Sequence, residues 1–263
     1  MPALDAAQKP SGEGCVHRGA RTGAGPLDVE GNAMTETGMP RSRLLKLIAI
    51  RFGLGFLVLA AMFCISAGTV RYWEAWVWMA VLIIPMLGLL AYLWKNDRAL
   101  LERRMRTREK EKQQSLVIKL SWIWFVIAFL MPGLDKRFGW SDVPAQVVIA
   151  ADVLVLLGYS MLIMVLRENS YASRVVEVEK GQKVVDTGPY AVVRHPFYLG
   201  SIILYAASPL ALGSYWALLP MLMIIPMLTF MRIPNEEQVL RRELPGYEEY
   251  MQRVKYRVLP GVW

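Results

Sequence analysis

The sequence predicts an all-α polytopic membrane protein with four long transmembrane helices, a short C-terminal helical hairpin, a small cytoplasmic β-hairpin and a C-terminal amphipathic helix. Three observations carry that prediction. Hydrophobic residues make up 55% of the 263 residues, mean hydropathy is +0.32, and the apolar residues gather into long runs rather than recurring at amphipathic spacing. Six such runs follow one another, broken by short charged or turn-forming stretches. The basic residues behind the net charge of +8 cluster beside those runs, where they meet anionic headgroups and set topology, instead of forming a nucleic-acid footprint.

Residues 1–43 are rich in Gly, Pro, Ala and charge, hold no apolar run of the signal-peptide kind, and are expected to be a disordered tail. Residues 44–166 are expected to form a four-span transmembrane region, with apolar segments at 44–67, 74–94, 116–133 and 143–166, each long enough to span. Arg51, about one turn into the first segment, reads as a side chain reaching back to the inner headgroups. Trp73, Trp76 and Trp78 cluster as interfacial anchors would and read as belt or core residues, and Asp152 is an acid at a depth that is costly unless it faces protein or water.

The last two segments, 197–212 and 215–231, fall short of the ~20 residues of an upright span, and Pro220 and Pro226 interrupt the second. They are tilted, kinked or re-entrant. With the N-terminus inside, three Lys and Arg fall at 41–46, nine at 95–119, five at 167–194 and six at 232–263, whereas the outer turns hold only Arg71, Lys136 and Arg137. Both termini are therefore expected on the cytoplasmic side.

Chemistry concentrates in residues 167–263. The stretch 174–186 alternates Val with polar residues around Lys180-Gly181, the pattern of a short β-hairpin. Gly188-Pro189-Tyr190 and Arg194-His195-Pro196-Phe197-Tyr198-Leu199-Gly200 then lead into the fifth segment. Pro196 suits a helix's first turn, which puts Arg194 and His195 at a helix entrance beside free N–H groups. Tyr198 and Gly200 follow, an aromatic ring and a position of close approach.

Beyond the sixth segment Pro234 marks another helix start, with Glu236 and Glu237 in its first turn and Leu240 one turn on. Each of these residues has a purely structural explanation when taken alone, as a headgroup contact, a helix start or compensation of a helix dipole. Together, a hairpin over 197–231 would return the two glutamates to Arg194 and His195. Two Cys and two His offer no metal-ligand set, so metal catalysis is not expected.

The run G-P-Y-x-x-x-R-H-P-x-Y-x-G, the apolar hairpin, E-E-x-x-L and the closing G-Y-x-x-Y with R-V-L-P resemble the isoprenylcysteine carboxyl methyltransferase family, and the stretch from Asn169 to Val185 is similar to its bacterial branch. The resemblance covers about residues 167–263 and extends to membrane phospholipid methyltransferases. It implies S-adenosylmethionine as cofactor, along Tyr190, His195, Pro196, Tyr198, Gly200, Glu236 and Leu240. Arg194 and Glu237 would position the methyl acceptor, with Tyr247, Tyr250 and Arg257 capping the pocket. The acceptor it implies is lipophilic or lipidated and enters from the membrane lipids: a prenyl-cysteine-type carboxylate, a lipid amine or a thiol. Membrane sterol and enone reductases, which use NADPH, share a similar C-terminal hairpin and form the alternative from another class. Nucleic acid is not an expected partner, and the oligomeric state is left open.

Overall fold

The structure, a computed structural model, describes residues 39–105, 112–172, 178–179 and 181–263, the side chains of 112–121 excepted. The expectation for the N-terminal tail falls almost wholly outside these residues; of its last few, Arg41–Arg43 already form the first turn of a helix. Helix α1 (Arg41–Ala67) leads through a tight connection to α2 (Trp73–Asn96) and the short basic α3 (Arg98–Met105). Helix α4 (Lys112–Phe138) contains the third apolar segment, and α5 (Ala145–Glu168) the fourth.

Four helical stretches among the described residues are long and apolar enough to cross a membrane: α1, α2, α5 and the continuous stretch Leu218–Glu243. The protein is an integral membrane protein. The last of the four departs from expectation. Helix α7 (Leu218–Pro226) does not end at its proline but passes through a π-helical turn, Met227–Arg232, into α8 (Ile233–Glu243). Pro226 and Pro234 each lack the N–H that an α-helix would use at that point, and a widened turn between them relieves the lost register without breaking the rod. Helix α6 (Pro196–Ala211) is the shorter apolar limb that precedes it, and α9 (Tyr247–Arg253) closes the order.

Close packing of α5 on α6 fixes the middle of the bundle. A Cβ on Gly158 would lie 2.8 Å from the Gly200 carbonyl oxygen, and one on Gly200 would lie 2.9 Å from that of Gly158. Backbones this near leave no room for a side chain on either helix. The core beside this crossing joins Phe63, Tyr72, Trp78, Val155, Leu204 and Ala211, with Phe63 set edge-on to Tyr72 and to Trp78.

At one end of the bundle a polar clasp holds the α6–α7 turn. Asp135 accepts the Ser141 backbone N–H at 2.7 Å and the Ser141 hydroxyl at 2.6 Å, and it also accepts the Ser214 hydroxyl. Tyr72 donates to the Leu212 carbonyl at 2.6 Å, and Lys136 pairs with Glu74 at 2.7 Å. Exposed Trp73, Trp76, Trp140 and Trp216 ring the same end, as interfacial aromatics do. Trp78 takes the core alternative: it is buried and its Nε1–H donates to Ser208.

Two further expectations change at the opposite end. Arg51 does not run free to the headgroups; its Nη1 donates to the Met105 carbonyl and ties α1 to the end of α3. The expected β-hairpin is absent among the described residues of 174–186, while 173–177 and 180 lie outside them. What remains there is a turn at Gly181, at φ +79°, closed by the Gln182 N–H donating to the Glu179 carbonyl at 3.0 Å. Val178 and Val184 pack against Leu244, Tyr247, Tyr250 and Val254. The alternation of Val with polar residues thus reports one buried edge, satisfied by helical side chains instead of a strand partner.

Candidate active site

Matched lengths in the hairpin assemble a polar cluster at the end of the bundle opposite the clasp. The 16 residues of α6 advance about 24 Å, and the nine of α7 with the six of the π-helical turn return about the same distance. The start of α8 therefore arrives level with His195, which precedes Pro196 at the start of α6.

Glu237 is the centre of that meeting. Its Oε1 accepts Arg194 Nε at 2.8 Å and lies 3.2 Å from His195 Nε2, while its Oε2 accepts Arg257 Nε at 2.9 Å. The Glu237 carboxylate is almost wholly buried, so its negative charge is held by these partners rather than by water. Arg194 is equally enclosed. Its Nη1 donates to the carbonyls of Val254 and Lys255, both at 2.8 Å, and the backbone N–H groups of Arg194 and His195 donate to the carbonyls of Tyr256 and Arg257. Arg194 thereby stitches the chain's last extended segment onto the entrance of α6.

Glu236 is placed differently. Its Oε2 accepts the Tyr198 hydroxyl at 2.5 Å, its Oε1 lies 4.0 Å from His195 Nδ1, and its side chain keeps 26% exposure. Tyr198 in turn accepts Arg232 Nε at 2.8 Å. This chain of one guanidinium, one phenol and one carboxylate turns negative charge toward the open side of the cluster, beside an imidazole and an aromatic ring.

Tyr190 stands on the short 3₁₀ turn Gly188–Ala191, its hydroxyl accepting Asn169 Nδ2 at 3.0 Å and its carbonyl accepting the Tyr250 hydroxyl at 2.8 Å. Burial pushes its phenol up to about 12, although the Asn169 hydrogen bond opposes the shift. Burial likewise raises the phenols of Tyr247 and Tyr250. All three are neutral at physiological pH and do not act as bases; Tyr190 and Tyr250 serve as hydrogen-bonding groups.

Of the residues singled out in the sequence, the fold brings His195, Tyr198, Glu236, Glu237 and Arg194 into one bonded cluster, with Arg257 joined through Glu237. Pro196 is buried in the first turn of α6, and Leu240 packs beside Tyr247 and Tyr250. Gly200 faces the backbone of α5 at Gly158.

Sequence reasoning gave no role to Arg232, Asn169 or the arginines of α3. Arg103 Nη2 donates to the Ser170 carbonyl at 2.8 Å, Arg104 Nη1 to that of Ala172 at 3.2 Å, and the Arg104 guanidinium lies 5.0 Å from the centre of the Phe197 ring. The N-terminal half thus braces the entrance of α6 directly. Only the polar side chain of Asn169 at a helix end signalled its contact in advance; the reach of Arg232 depends on the π-helical turn, which no local pattern announces.

Comparison with known proteins places this geometry in a family context. Residues 149–242, which contain the α6–α8 hairpin and both glutamates, match the model of the isoprenylcysteine carboxyl methyltransferase (ICMT) family. Over 86 residues, 32% of the chain, the protein is also 33% identical to Delta(14)-sterol reductase TM7SF2 of Mus musculus, a match that spans 20% of that relative's length.

Proposed function

We propose, from the premise that residues 149–242 belong to the isoprenylcysteine carboxyl methyltransferase family, that the protein transfers a methyl group from S-adenosylmethionine to a lipophilic acceptor at the cytoplasmic face of the membrane. The observation that carries this reading is the joining of Arg194-His195 and Glu236-Glu237 across the two limbs of one apolar hairpin. A polar cluster at the end of an apolar hairpin suits a water-soluble cofactor and a membrane-borne acceptor.

The donor set fits the cofactor. Glu236 is partly exposed and has an oxygen turned toward His195, so it can accept ribose hydroxyls or balance a cation. His195 and Tyr198 supply a ring nitrogen and an aromatic face beside it. Tyr190 and Leu240 bound the cytoplasmic edge, Pro196 presets the first turn of α6, and Gly200 allows α6 to sit close against α5. When bound, S-adenosylmethionine would supply a methyl group activated by a sulfonium.

Alignment of donor and acceptor supplies most of the acceleration in such a transfer, on the order of 7–11 kcal/mol in favourable cases. Glu237 and Arg194 fix that alignment by locking the entrance of α6 to α8 and to the final segment. An ionised carboxylate acceptor of the prenyl-cysteine type needs no base, in keeping with three neutral tyrosines around the cluster. A lipid amine or a thiol would have to lose a proton to water or to a glutamate.

A second reading, an NADPH-dependent sterol or enone reductase, is favoured by the identity with the mouse sterol reductase over about a third of the chain. Equilibrium binding to the detergent-purified protein separates the two. The methyltransferase reading expects saturable S-adenosylmethionine binding, lost in His195→Ala and Glu236→Ala, with no response to NADPH. Binding of NADPH alone would establish the reductase reading.

A further inference from the structure

Arg194 and Arg257 bond the carboxylate of Glu237, and Arg232 bonds the Tyr198 hydroxyl that donates to Glu236, so the cluster sets three guanidiniums against two carboxylates before His195 is counted. Arg194 is not the group that can offer this charge to a ligand. It is buried, its Nε is on Glu237 and its Nη1 is shared by two backbone carbonyls. Arg257 differs in each respect. Its side chain is 33% exposed, its Nε alone is engaged by Glu237, and among the described residues the structure gives its two Nη atoms no acceptor.

The guanidinium plane is also held in place. Arg257 lies over the indole of Trp263, 5.0 Å from the ring centre, and Trp263 packs in turn beside Phe230 of the π-helical turn. Its backbone is fixed as well, because the Arg257 carbonyl accepts the His195 N–H at 2.8 Å. A guanidinium braced through Nε, stacked on an aromatic face and open at both terminal nitrogens is prepared for two parallel hydrogen bonds to a planar anion.

We propose that Arg257, supported by Trp263, is the residue of this site that binds a carboxylate brought in by a ligand. The inference rests on the methyl-transfer reading and assigns the anion-binding role to Arg257 in place of Arg194. Two ligands of that reaction carry such a group: the amino-acid end of S-adenosylmethionine and the terminus of a prenyl-cysteine acceptor. Their shared chemistry is what Arg257 recognises.

Affinities are measured on the purified full chain for two pairs of probes: S-adenosylmethionine with its decarboxylated form, and N-acetyl-S-farnesylcysteine with its carboxamide. The wild type prefers the carboxylate-bearing member of one pair by about tenfold or more, the worth of a charge-assisted hydrogen-bonded pair. Arg257→Ala abolishes that preference by weakening the acid alone, and the pair affected identifies the source of the carboxylate. Arg257→Lys keeps part of it, since the charge remains while the fork is lost. Arg257→Gln retains a donor toward Glu237, and it carries the test if the Ala variant does not fold.

Equal weakening of both members of each pair would reduce Arg257 to a strut for Glu237 and overturn the proposal, as would unchanged affinities in every variant. Where only the donor pair binds, the preference within that pair decides. A wild type that binds none of the four probes removes the methyl-transfer reading itself, and this inference with it.

Discussion

At the scale of single residues the two adjacent glutamates divide the work. Glu237 is 3% exposed and is the common partner of Arg194, His195 and Arg257, so removing its charge leaves a buried guanidinium without compensation. Glu237→Gln is expected to cost about 3–5 kcal/mol, read as a lowered unfolding midpoint in detergent. Glu236→Gln, at a partly exposed carboxylate, should leave that midpoint nearly unchanged while weakening cofactor binding. The three tyrosines make a pH prediction. Tyr190 binds its proton more tightly folded than unfolded, with a folded pKa of about 12 against 10.0 unfolded, and Tyr247 and Tyr250 shift the same way. Between those values the native state holds more protons, so stability is intact below about pH 10 and falls as pH rises toward 12. Thermal unfolding from pH 8 to 11.5 should show the decline, and Tyr190→Phe should shallow it; a steeper decline in the variant would contradict the assignment.

At the scale of elements the hairpin is held at both ends and in the middle. Gly158 and Gly200 set the α5–α6 distance, and Gly200→Ala would press a methyl group to 2.9 Å of a carbonyl that cannot yield without parting two helices. A loss of about 1–3 kcal/mol is expected, together with weaker cofactor binding, because α6 carries His195 and Tyr198. Unchanged stability in that variant would mean that the crossing is looser than described. Most of this architecture was legible beforehand. The long apolar runs and the helix start at Pro196 follow from local rules, since lipid leaves the backbone little choice but helix, whereas the start expected at Pro234 lies inside the continuous stretch Leu218–Glu243. Elements whose partner lies far away in sequence were not legible. Val178 and Val184 alternate like a strand yet pack on α9, and Pro226, expected to interrupt the sixth segment, is absorbed by a π-helical turn. Both outcomes depend on tertiary neighbours. Likewise, nothing local marked Arg103 and Arg104 as braces for the entrance of α6, because their acceptors are carbonyls 67 and 68 residues away.

For the whole molecule, both ends of the bundle are polar but in different ways: one holds a clasp around Asp135 with exposed tryptophans, the other the Arg-His-Glu cluster and most of the basic residues. The charge distribution predicts that the second end faces the cytoplasm. In a background with Cys15 and Cys64 replaced by Ser, a membrane-impermeant maleimide applied to sealed right-side-out vesicles should label Trp140→Cys and reach Gln252→Cys only after permeabilisation; the reverse would invert the topology. If the hairpin joins Arg194-His195 to Glu236-Glu237 in order to hold a methyl donor, then equilibrium binding of S-adenosylmethionine and of NADPH to the purified protein, with His195→Ala and Glu236→Ala alongside, reads that function without an acceptor. Saturable binding of S-adenosylmethionine that both substitutions abolish, with no binding of NADPH, is the expected result; binding of NADPH alone, or of neither, would contradict it.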